Sequence, residues 1–248
     1  MKIIINKITK KIISLLGYEI RKKKSNSIRT SIGQSYSHLH SMQFNPITVI
    51  DVGAAKGTPE LYNAFPDSFY LLIEPLKVFE KVLIKWLTHI KGIYNIAAAG
   101  SKKGSVTFNV HSSHLEGSSI LKETMGAYAD GVEVIVPVIR IDDVIEENKL
   151  KGPFLIKVDV QGAELDVLDG ALKALANAEV VVLEVSLFEF MKGAPQFYNV
   201  ISYMKNHGFV AYDIIHGWNR PLDNALGQVD VVFVKEMGMF RQNHSYSN

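Results

Sequence analysis

The sequence contains no cysteine, and this absence removes several kinds of chemistry at once. Without thiols the chain can form neither disulfides nor thiolate metal sites, and it has no cysteine nucleophile. The absence fits a reducing cytoplasm, although exported proteins can also lack cysteine. We therefore expect a cytoplasmic location.

Long apolar runs and N-terminal acids are also scarce. The longest apolar run near the start is Ile3–Ile5, which is too short for a signal peptide. No stretch approaches the roughly 18 apolar residues that a membrane-spanning helix needs. Residues 1–24 hold eight Lys/Arg against Glu19, so this segment is +7 and the remainder is −5 when the net charge is +2. The mildly acidic remainder argues against nucleic acid as the main partner, because phosphates would be repelled.

The N-terminal segment has helical periodicity. Ile5, Ile8, Ile12 and Leu16 recur at the spacing of one helix face over residues 2–16, with lysines between them. Two interpretations stay open. The helix packs on the domain with a solvated polar face, which is slightly favoured, or residues 1–24 make weak peripheral contact with an anionic membrane.

The chain divides into three parts. Residues 1–45 are expected to form the basic amphipathic helix followed by a polar linker, and 241–248 a polar tail. Residues 46–240 alternate short β-branched runs with helical patterns, which predicts an α/β domain with a mostly parallel sheet. Two further strands at about 105–139, separated by a Gly/Ser-rich stretch, are expected to form a β insert.

One segment predicts a nucleotide site. In Val49–Gly57 an apolar strand runs into a tight turn, whose Gly53 and Gly57 let the backbone approach a ligand. Asp51 lies at the strand end, and Glu74 ends the next strand, where an acid can hold ribose hydroxyls.

The pattern around this turn favours one nucleotide over another. A dinucleotide fingerprint would need glycines at the positions of Ala55 and Thr58, so a nicotinamide cofactor is disfavoured. S-adenosylmethionine has no phosphate and suits the turn better. Asp51 could accept from its amino group while turn amides face its carboxylate.

A second segment, Ile156–Glu164, predicts chemistry on the other side of the cleft. Asp159 ends a buried strand, so its carboxylate faces the ligand side of the sheet. Gly162 permits a sharp turn. Glu164 falls in the first turn of the following helix, and a structural role there weighs equally with a functional one.

Over residues 45–235 the sequence resembles the FkbM family of methyltransferases. The likeness rests on these motifs: Asp51–Ala54 through Gly57, Ile73–Pro75, Asn95–Ala98, Val182–Val185, and above all Ile156–Glu164 followed by Val167, Leu168 and Gly170. The resemblance implies a class I methyltransferase fold: a Rossmann-like three-layer α/β sandwich with a mostly parallel seven-stranded sheet and an antiparallel last strand. It also implies S-adenosyl-L-methionine-dependent O-methylation. The chain departs from the family at Ala55, where Asn is usual, and at Gln161, where Glu is usual.

These patterns define the expected site. For the general base that takes the acceptor proton we expect first Asp159, then Glu184 or His216, with His111 and His114 as further candidates. No metal is expected, because the pairs His38/His40 and His111/His114 lack an evident third ligand. The expected cofactor-binding residues are Asp51, Gly53, Ala54, Gly57, Glu74, Pro75, Ala97 and Asp159.

Three functions remain open from the sequence. The favoured one is methylation of a hydroxyl on a small molecule or a glycan sugar. The second is a nicotinamide-dependent oxidoreductase. The third is a non-catalytic module that binds a nucleotide or a partner through the same fold.

Overall fold

A computed structural model describes residues 28–246, so the N-terminal amphipathic helix and its basic run lie outside the described residues. The helices are α1 (Ile32–Ser41), α2 (Pro59–Ala64), α3 (Glu80–Trp86), α4 (Ile141–Asn148), α5 (Glu164–Asp169), α6 (Leu172–Ala176) and α7 (Phe197–Asn206). Short 3-10 turns lie at Lys77–Phe79, Leu115–Gly117 and Met239–Arg241. None of the helices between residues 28 and 246 has the length and apolar character needed to cross a bilayer.

The strands form two sheets. They are β1 (Thr48–Val52), β2 (Phe69–Glu74), β3 (Lys91–Ile96), β4 (Ala98–Ala99), β5 (Gly104–Val110), β6 (Val132–Ile139), β7 (Phe154–Val158), β8 (Ala178–Ser186), β9 (Phe209–Asn219) and β10 (Leu226–Lys235). The main sheet has the order β3-β2-β1-β7-β8-β10-β9. Neighbours from β3 to β8 pair in parallel, and β10 runs antiparallel to both β8 and β9. The predicted class I fold is therefore confirmed.

Helices cover both faces of this sheet, because side chains on a strand alternate between faces. Val49 and Leu155 point toward a core that includes residues of α1, α2 and α3, whereas Ile50 and Ile156 point toward residues of α4, α5, α6 and α7. β1 is buried along its whole length, as expected for a central parallel strand covered on both sides. The result is three layers, helix–sheet–helix.

The region predicted as a linker contains a helix. Within 25–45 the structure has α1, whose N-cap Ser31 accepts a hydrogen bond from the Gln34 amide. Tyr36 and Leu39 are buried against the sheet, and Ile32 packs beside them. The linker prediction was wrong here because three apolar residues at helical spacing suffice to dock a helix that is otherwise made of serines and histidines.

The region expected to form the β insert contains two strands, β5 and β6. β5 and β6 pair antiparallel, and β6 also pairs with β4, so a small three-stranded sheet stands beside the main one. Phe108 and Val136 from this sheet bury against Leu76, Phe79 and Ala98. These last three residues follow β2 and β3, so the insert packs at the carboxyl end of the main sheet.

Candidate functional site

A cavity of about 390 Å³ opens at the carboxyl ends of the parallel strands. The chain winds from β1 to β2 and β3 on one side and from β7 to β8 on the other, so the order of the strands reverses between β1 and β7. Open α/β sheets bind ligands at this reversal. The cavity is also large enough for a small ligand. The fold alone therefore indicates this cavity as the binding site.

The turn after β1 forms the floor of the cavity. The Gly53 and Ala54 amides both donate to the Ile73 carbonyl, and Asp159 donates its amide to the Val52 carbonyl, so the turn is fixed between β2 and β7. Gly53 has φ +71, and a Cβ there would come 1.8 Å from the Asp159 carbonyl oxygen. Only glycine satisfies both conditions.

Four amides of this turn already have protein acceptors. Besides Gly53 and Ala54, Ala55 donates to the Glu74 carboxylate and Gly57 donates to the Ala54 carbonyl. These four amides are therefore not available to the carboxylate of a ligand. Their hydrogen bonds instead hold the shape of the turn, because a tight loop must satisfy its own backbone donors.

Glu74 lies at the opposite wall and is only 4% exposed. One carboxylate oxygen accepts from the Ala55 amide at 2.9 Å and the other from the Leu76 amide at 2.8 Å. Burial raises the pKa of Glu74 to about 7, against the lowering effect of these two amides. Each carboxylate oxygen can accept a second hydrogen bond, and the side chain lines the cavity. This is a suitable acceptor for a pair of ribose hydroxyls.

Asp51 lies behind the turn and is not among the residues that line the cavity. Its Oδ2 accepts hydrogen bonds from the Thr58 hydroxyl at 2.9 Å and the Tyr62 hydroxyl at 2.7 Å. Its Oδ1 is 3.3 Å from the Lys157 ammonium. Both oxygens therefore face protein groups, and this carboxylate supports the turn from below.

Lys157 connects the two halves of the site. It pairs with Asp51 across β1 and β7, and its ammonium also lies 3.4 Å from Asp159 Oδ2 and donates to the Gly53 carbonyl at 3.2 Å. Burial would lower the pKa of Lys157, but the two carboxylates outweigh it and raise the pKa, so the side chain stays charged. Lys157 was not among the site residues predicted from the sequence. The sequence did contain a signal for it, because a lysine inside an apolar strand indicates a buried charge, and a buried charge needs a partner of opposite sign.

Two acidic side chains share one amide at the cavity wall. The Gln161 side-chain nitrogen donates to Asp159 Oδ1 at 3.0 Å and also to Glu184 Oε2. Burial would raise the pKa of Asp159, but Lys157 and hydrogen bonds hold it below the usual value. Burial and the neighbouring Asp159 charge raise the pKa of Glu184 well above its usual value. The two pKa values are therefore shifted in opposite directions, so the first proton that the pair takes up goes to Glu184.

The hydrogen bonds at the cavity wall explain why residue 161 is a glutamine. Its amide donates to both carboxyl groups, which a glutamate could not do when ionised. The chain thus departs from the usual family residue at the position where a third carboxylate would face Asp159 and Glu184.

Most of the expected site residues line this cavity, and two do not. Those that line it are Gly53, Ala54, Gly57, Glu74, Pro75, Ala97, Asp159 and Glu184. Asp51 lies beneath it, as described above. His216 is exposed on β9 opposite Val229 and does not line the cavity, so its expected role as a base was wrong. Ile215 is the strand partner of Asp230, which lines the cavity. His216 is the next residue along β9, so its side chain points to the opposite face of the sheet.

The remaining candidates have structural partners. His111 faces Glu123 at 3.9 Å and His38 contacts the Tyr212 hydroxyl at 3.0 Å, and neither lines the cavity. Glu164 is buried and accepts from the Gly162 amide at 2.9 Å, which favours its helix-terminus role. Across residues 28–246 no three side chains of the metal-binding types come together as a ligand group.

The insert covers the cavity from above. Phe108, Leu115 and Ile120 contribute apolar surface to its wall, next to Ala97 and Ala98. Lys56 in the turn forms a salt bridge with Glu116 of the insert. The insert therefore closes the side of the cavity that lies over β2 and β3.

The sequence matches one family model, described as the methyltransferase FkbM domain, over residues 51–211. No curated protein matches it. Solved structures with a similar fold include the precorrin-6y C5,15-methyltransferase of Geobacter metallireducens GS-15, at 9% identity, 87% and 93% coverage of this and that chain, and TM-score 0.44. A second is the magnesium protoporphyrin IX methyltransferase of Synechocystis PCC 6803 with bound SAM, at 8% identity, 85% and 86% coverage of this and that chain, and TM-score 0.43. A third is the pre-rRNA processing protein fibrillarin of Methanococcus jannaschii, at 11% identity, 76% and 66% coverage of this and that chain, and TM-score 0.43.

Proposed function

The chain belongs to the FkbM methyltransferase family, with S-adenosyl-L-methionine as its cofactor, and we propose that it methylates a hydroxyl of a small molecule or a glycan sugar. One observation supports the hydroxyl acceptor most directly. Asp159 and Glu184 line the cavity as a pair of carboxyl groups that are bridged by the Gln161 amide and whose pKa values are shifted in opposite directions. A hydroxyl must lose its proton as it is methylated, so it benefits from such a pair.

The cavity fits the cofactor. Glu74 would hold the ribose hydroxyls with the free acceptor positions of its carboxylate. The turn at Gly53 and Ala54 would border the amino-acid end, and Pro75 and Ala97 would border the base together with the apolar insert residues. Asp51 would act indirectly, by holding the turn through Thr58 and Tyr62. When bound, S-adenosyl-L-methionine supplies a methyl carbon made electrophilic by its sulfonium.

The protein's own contribution is proton transfer and positioning. The ionised Asp159 accepts the proton of the acceptor hydroxyl, while Gln161 orients both carboxyl groups through its single amide. Lys157 holds Asp159 ionised and fixes it against the turn. The walls of the cavity keep the reacting groups in contact, which turns a bimolecular encounter into an intramolecular one.

The other two functions that were left open have less support. The family match favours S-adenosyl-L-methionine over a nicotinamide cofactor, in agreement with the missing glycines at Ala55 and Thr58. A non-catalytic module would have no use for a carboxyl pair that faces the cavity. Nucleic acid is disfavoured as the acceptor because Asp159, Glu184 and Asp230 line the cavity and would repel phosphates. We place the enzyme in the cytoplasm, with residues 1–24 as its basic N-terminal segment.

The test is a methyl-transfer assay with tritiated S-adenosyl-L-methionine against sugars, small alcohols and total RNA. We expect label in a sugar or alcohol, in a form that survives mild alkali as a methyl ether does. Asp159→Asn should lower kcat by roughly a hundredfold, the scale of general-base catalysis, while the S-adenosylhomocysteine affinity is unchanged. Label in RNA, alkali-labile label, or full activity of a folded Asp159→Asn protein would contradict the proposal.

A further inference from the structure

The cavity extends beyond the part that fits the cofactor. Glu184 on β8 and Asp230 on β10 line its other end, together with Tyr36 from α1. Two strands, β7 and β8, lie between β1 and β10. With strands spaced about 4.8 Å apart, β10 lies roughly 14 Å from β1, so this end of the cavity is separate from the turn at Gly53.

The side chains at this end face the same side of the sheet. Glu184 and Asp230 are direct partners in the antiparallel pair β8–β10, and direct partners point to the same face. Two residues further into the sheet, Val182 and Val232 form the next pair, and both lie in the core that contains Tyr36. The acids therefore continue an apolar face that α1 covers.

Tyr36 is a buried polar side chain that points into this end. It is 1% exposed and lines the cavity. Burial raises its pKa, with Lys157, Asp51, Asp230 and Asp159 as its charged neighbours. The hydroxyl is thus neutral and can both donate and accept a hydrogen bond.

The position of Tyr36 is fixed by the way α1 is attached. Asp213 on β9 accepts hydrogen bonds from the Ser35 hydroxyl at 2.6 Å and from Arg29. The Tyr36 ring packs edge-on against Phe65, with centroids 6.5 Å apart. The helix and the ring are therefore held before any ligand arrives, as a binding wall requires.

Asp230 is the second polar group at this end of the cavity. It is half-buried and lines the cavity. Burial, and then the charge of Asp159, raise its pKa to about 6, so it is mostly ionised at neutral pH. A carboxylate in this state accepts hydrogen bonds from a donor-bearing ligand.

We propose that Tyr36 and Asp230 form, beside Asp159 and Glu184, the subsite that orients the methyl acceptor, and that this subsite takes a neutral hydroxyl-bearing molecule and rejects a phosphorylated one. This inference rests on the proposed function and adds two things to it: the residues that position the methyl acceptor, and the net charge that the acceptor carries. Carboxylates accept from hydroxyls but repel phosphate. Lys157 cannot attract an anion here, because Asp51 and Asp159 already neutralise it.

The cofactor's charge also argues against a cationic acceptor. S-adenosyl-L-methionine carries a sulfonium and an ammonium against one carboxylate, so its net positive charge already offsets acidic groups of the cavity. A neutral polyol can then form hydrogen bonds with both side chains without adding charge.

The experiment is ligand-observed saturation-transfer NMR on the full chain loaded with sinefungin, an analogue of S-adenosyl-L-methionine that carries an ammonium group in place of the sulfonium. The probes are glucose, glucosamine and glucose 6-phosphate at equal concentration, which share one ring and differ in charge. We expect saturation of glucose, weaker saturation of glucosamine and none of glucose 6-phosphate. Tyr36→Phe and Asp230→Asn should each weaken glucose binding about fivefold, the effect of one lost hydrogen bond.

Two controls separate the possible failures. Tyr198→Phe changes an exposed tyrosine on α7 and should leave glucose binding intact. The S-adenosylhomocysteine affinity, measured by calorimetry, should be the same in all variants. If it binds but no sugar is saturated, if the phosphate binds as well as glucose, if glucosamine binds best, or if both variants bind like wild type, the subsite proposal is wrong. If S-adenosylhomocysteine itself does not bind, the proposed function fails first.

Discussion

At the scale of the residue, the ionisable groups of the site have pKa values shifted in opposite directions although they lie close together. Lys157 holds the pKa of Asp159 below its usual value, whereas burial and the Asp159 charge raise the pKa of Glu184, one strand further, well above its usual value. The difference follows from which of the two carboxyl groups the ammonium contacts. It leaves Glu184 sensitive to any new positive charge in the cavity, with Asp159, Asp230 and Lys157 as the charges already around it.

This sensitivity predicts different proton release by two ligands that differ in one charge. The sulfonium of S-adenosyl-L-methionine favours ionised Glu184 and lowers its pKa, so binding releases protons over the pH range in which Glu184 titrates. S-adenosylhomocysteine carries a neutral thioether and releases none from Glu184. The affinity for S-adenosyl-L-methionine should therefore rise with pH relative to the affinity for S-adenosylhomocysteine. The Glu184→Gln variant identifies the part of the difference that comes from Glu184.

Calorimetry in two buffers of different ionisation enthalpy counts these protons. We expect more protons released with S-adenosyl-L-methionine than with S-adenosylhomocysteine, and no difference in Glu184→Gln. Equal counts in the wild type, or a difference that persists in the variant, would show that Glu184 does not respond to the cofactor charge.

At the scale of the element, the turn between β1 and α2 depends on contact with the end of β7. Gly53→Ala would place a Cβ 1.8 Å from the Asp159 carbonyl and impose a side chain at φ +71. Gly193→Ala is the matched control, since Gly193 has φ +79 but no atom within 4 Å of an added Cβ. The control isolates the backbone cost of about 1 kcal/mol.

We expect Gly53→Ala to lower the free energy of unfolding by about 2 kcal/mol more than Gly193→Ala, because the turn must shift away from β7. Denaturant unfolding of both variants measures the difference. Similar losses in the two proteins would mean that the turn and β7 are not held together as closely as the structure shows.

The elements also show how far the sequence predicts the structure. The apolar runs that became β1, β7 and β8 were recognisable because central parallel strands are continuously apolar. Helix α1 was not, because three apolar residues among serines and histidines look like a loop. Tyr36 was missed with it. Asp230 had a visible signal, an acid inside the apolar run Val229–Val234, but no pattern shows which strand lies opposite Glu184.

At the scale of the whole molecule, the strand reversal at β1 and β7 separates two tasks. Glu74 and the insert border the part of the cavity that we propose for the nucleoside, whereas Asp159, Glu184, Asp230 and α1 border the part that we propose for the acceptor. The residues of the first part were candidates from the sequence, since its motifs follow strands directly. The second part comes from distant segments that meet only in the folded sheet, so sequence spacing could not reveal it.

The central claim is that this cavity binds S-adenosyl-L-methionine through Glu74. Calorimetric titration of S-adenosylhomocysteine, with NAD as the control, tests it most directly in the wild type and Glu74→Gln. We predict micromolar binding of S-adenosylhomocysteine alone, weakened about tenfold in the variant by loss of a charged hydrogen-bond acceptor. Because the pKa of Glu74 is about 7, wild-type affinity should fall as the pH drops through that value. No binding, equal binding of NAD, or an unchanged affinity in a folded Glu74→Gln protein would contradict the account.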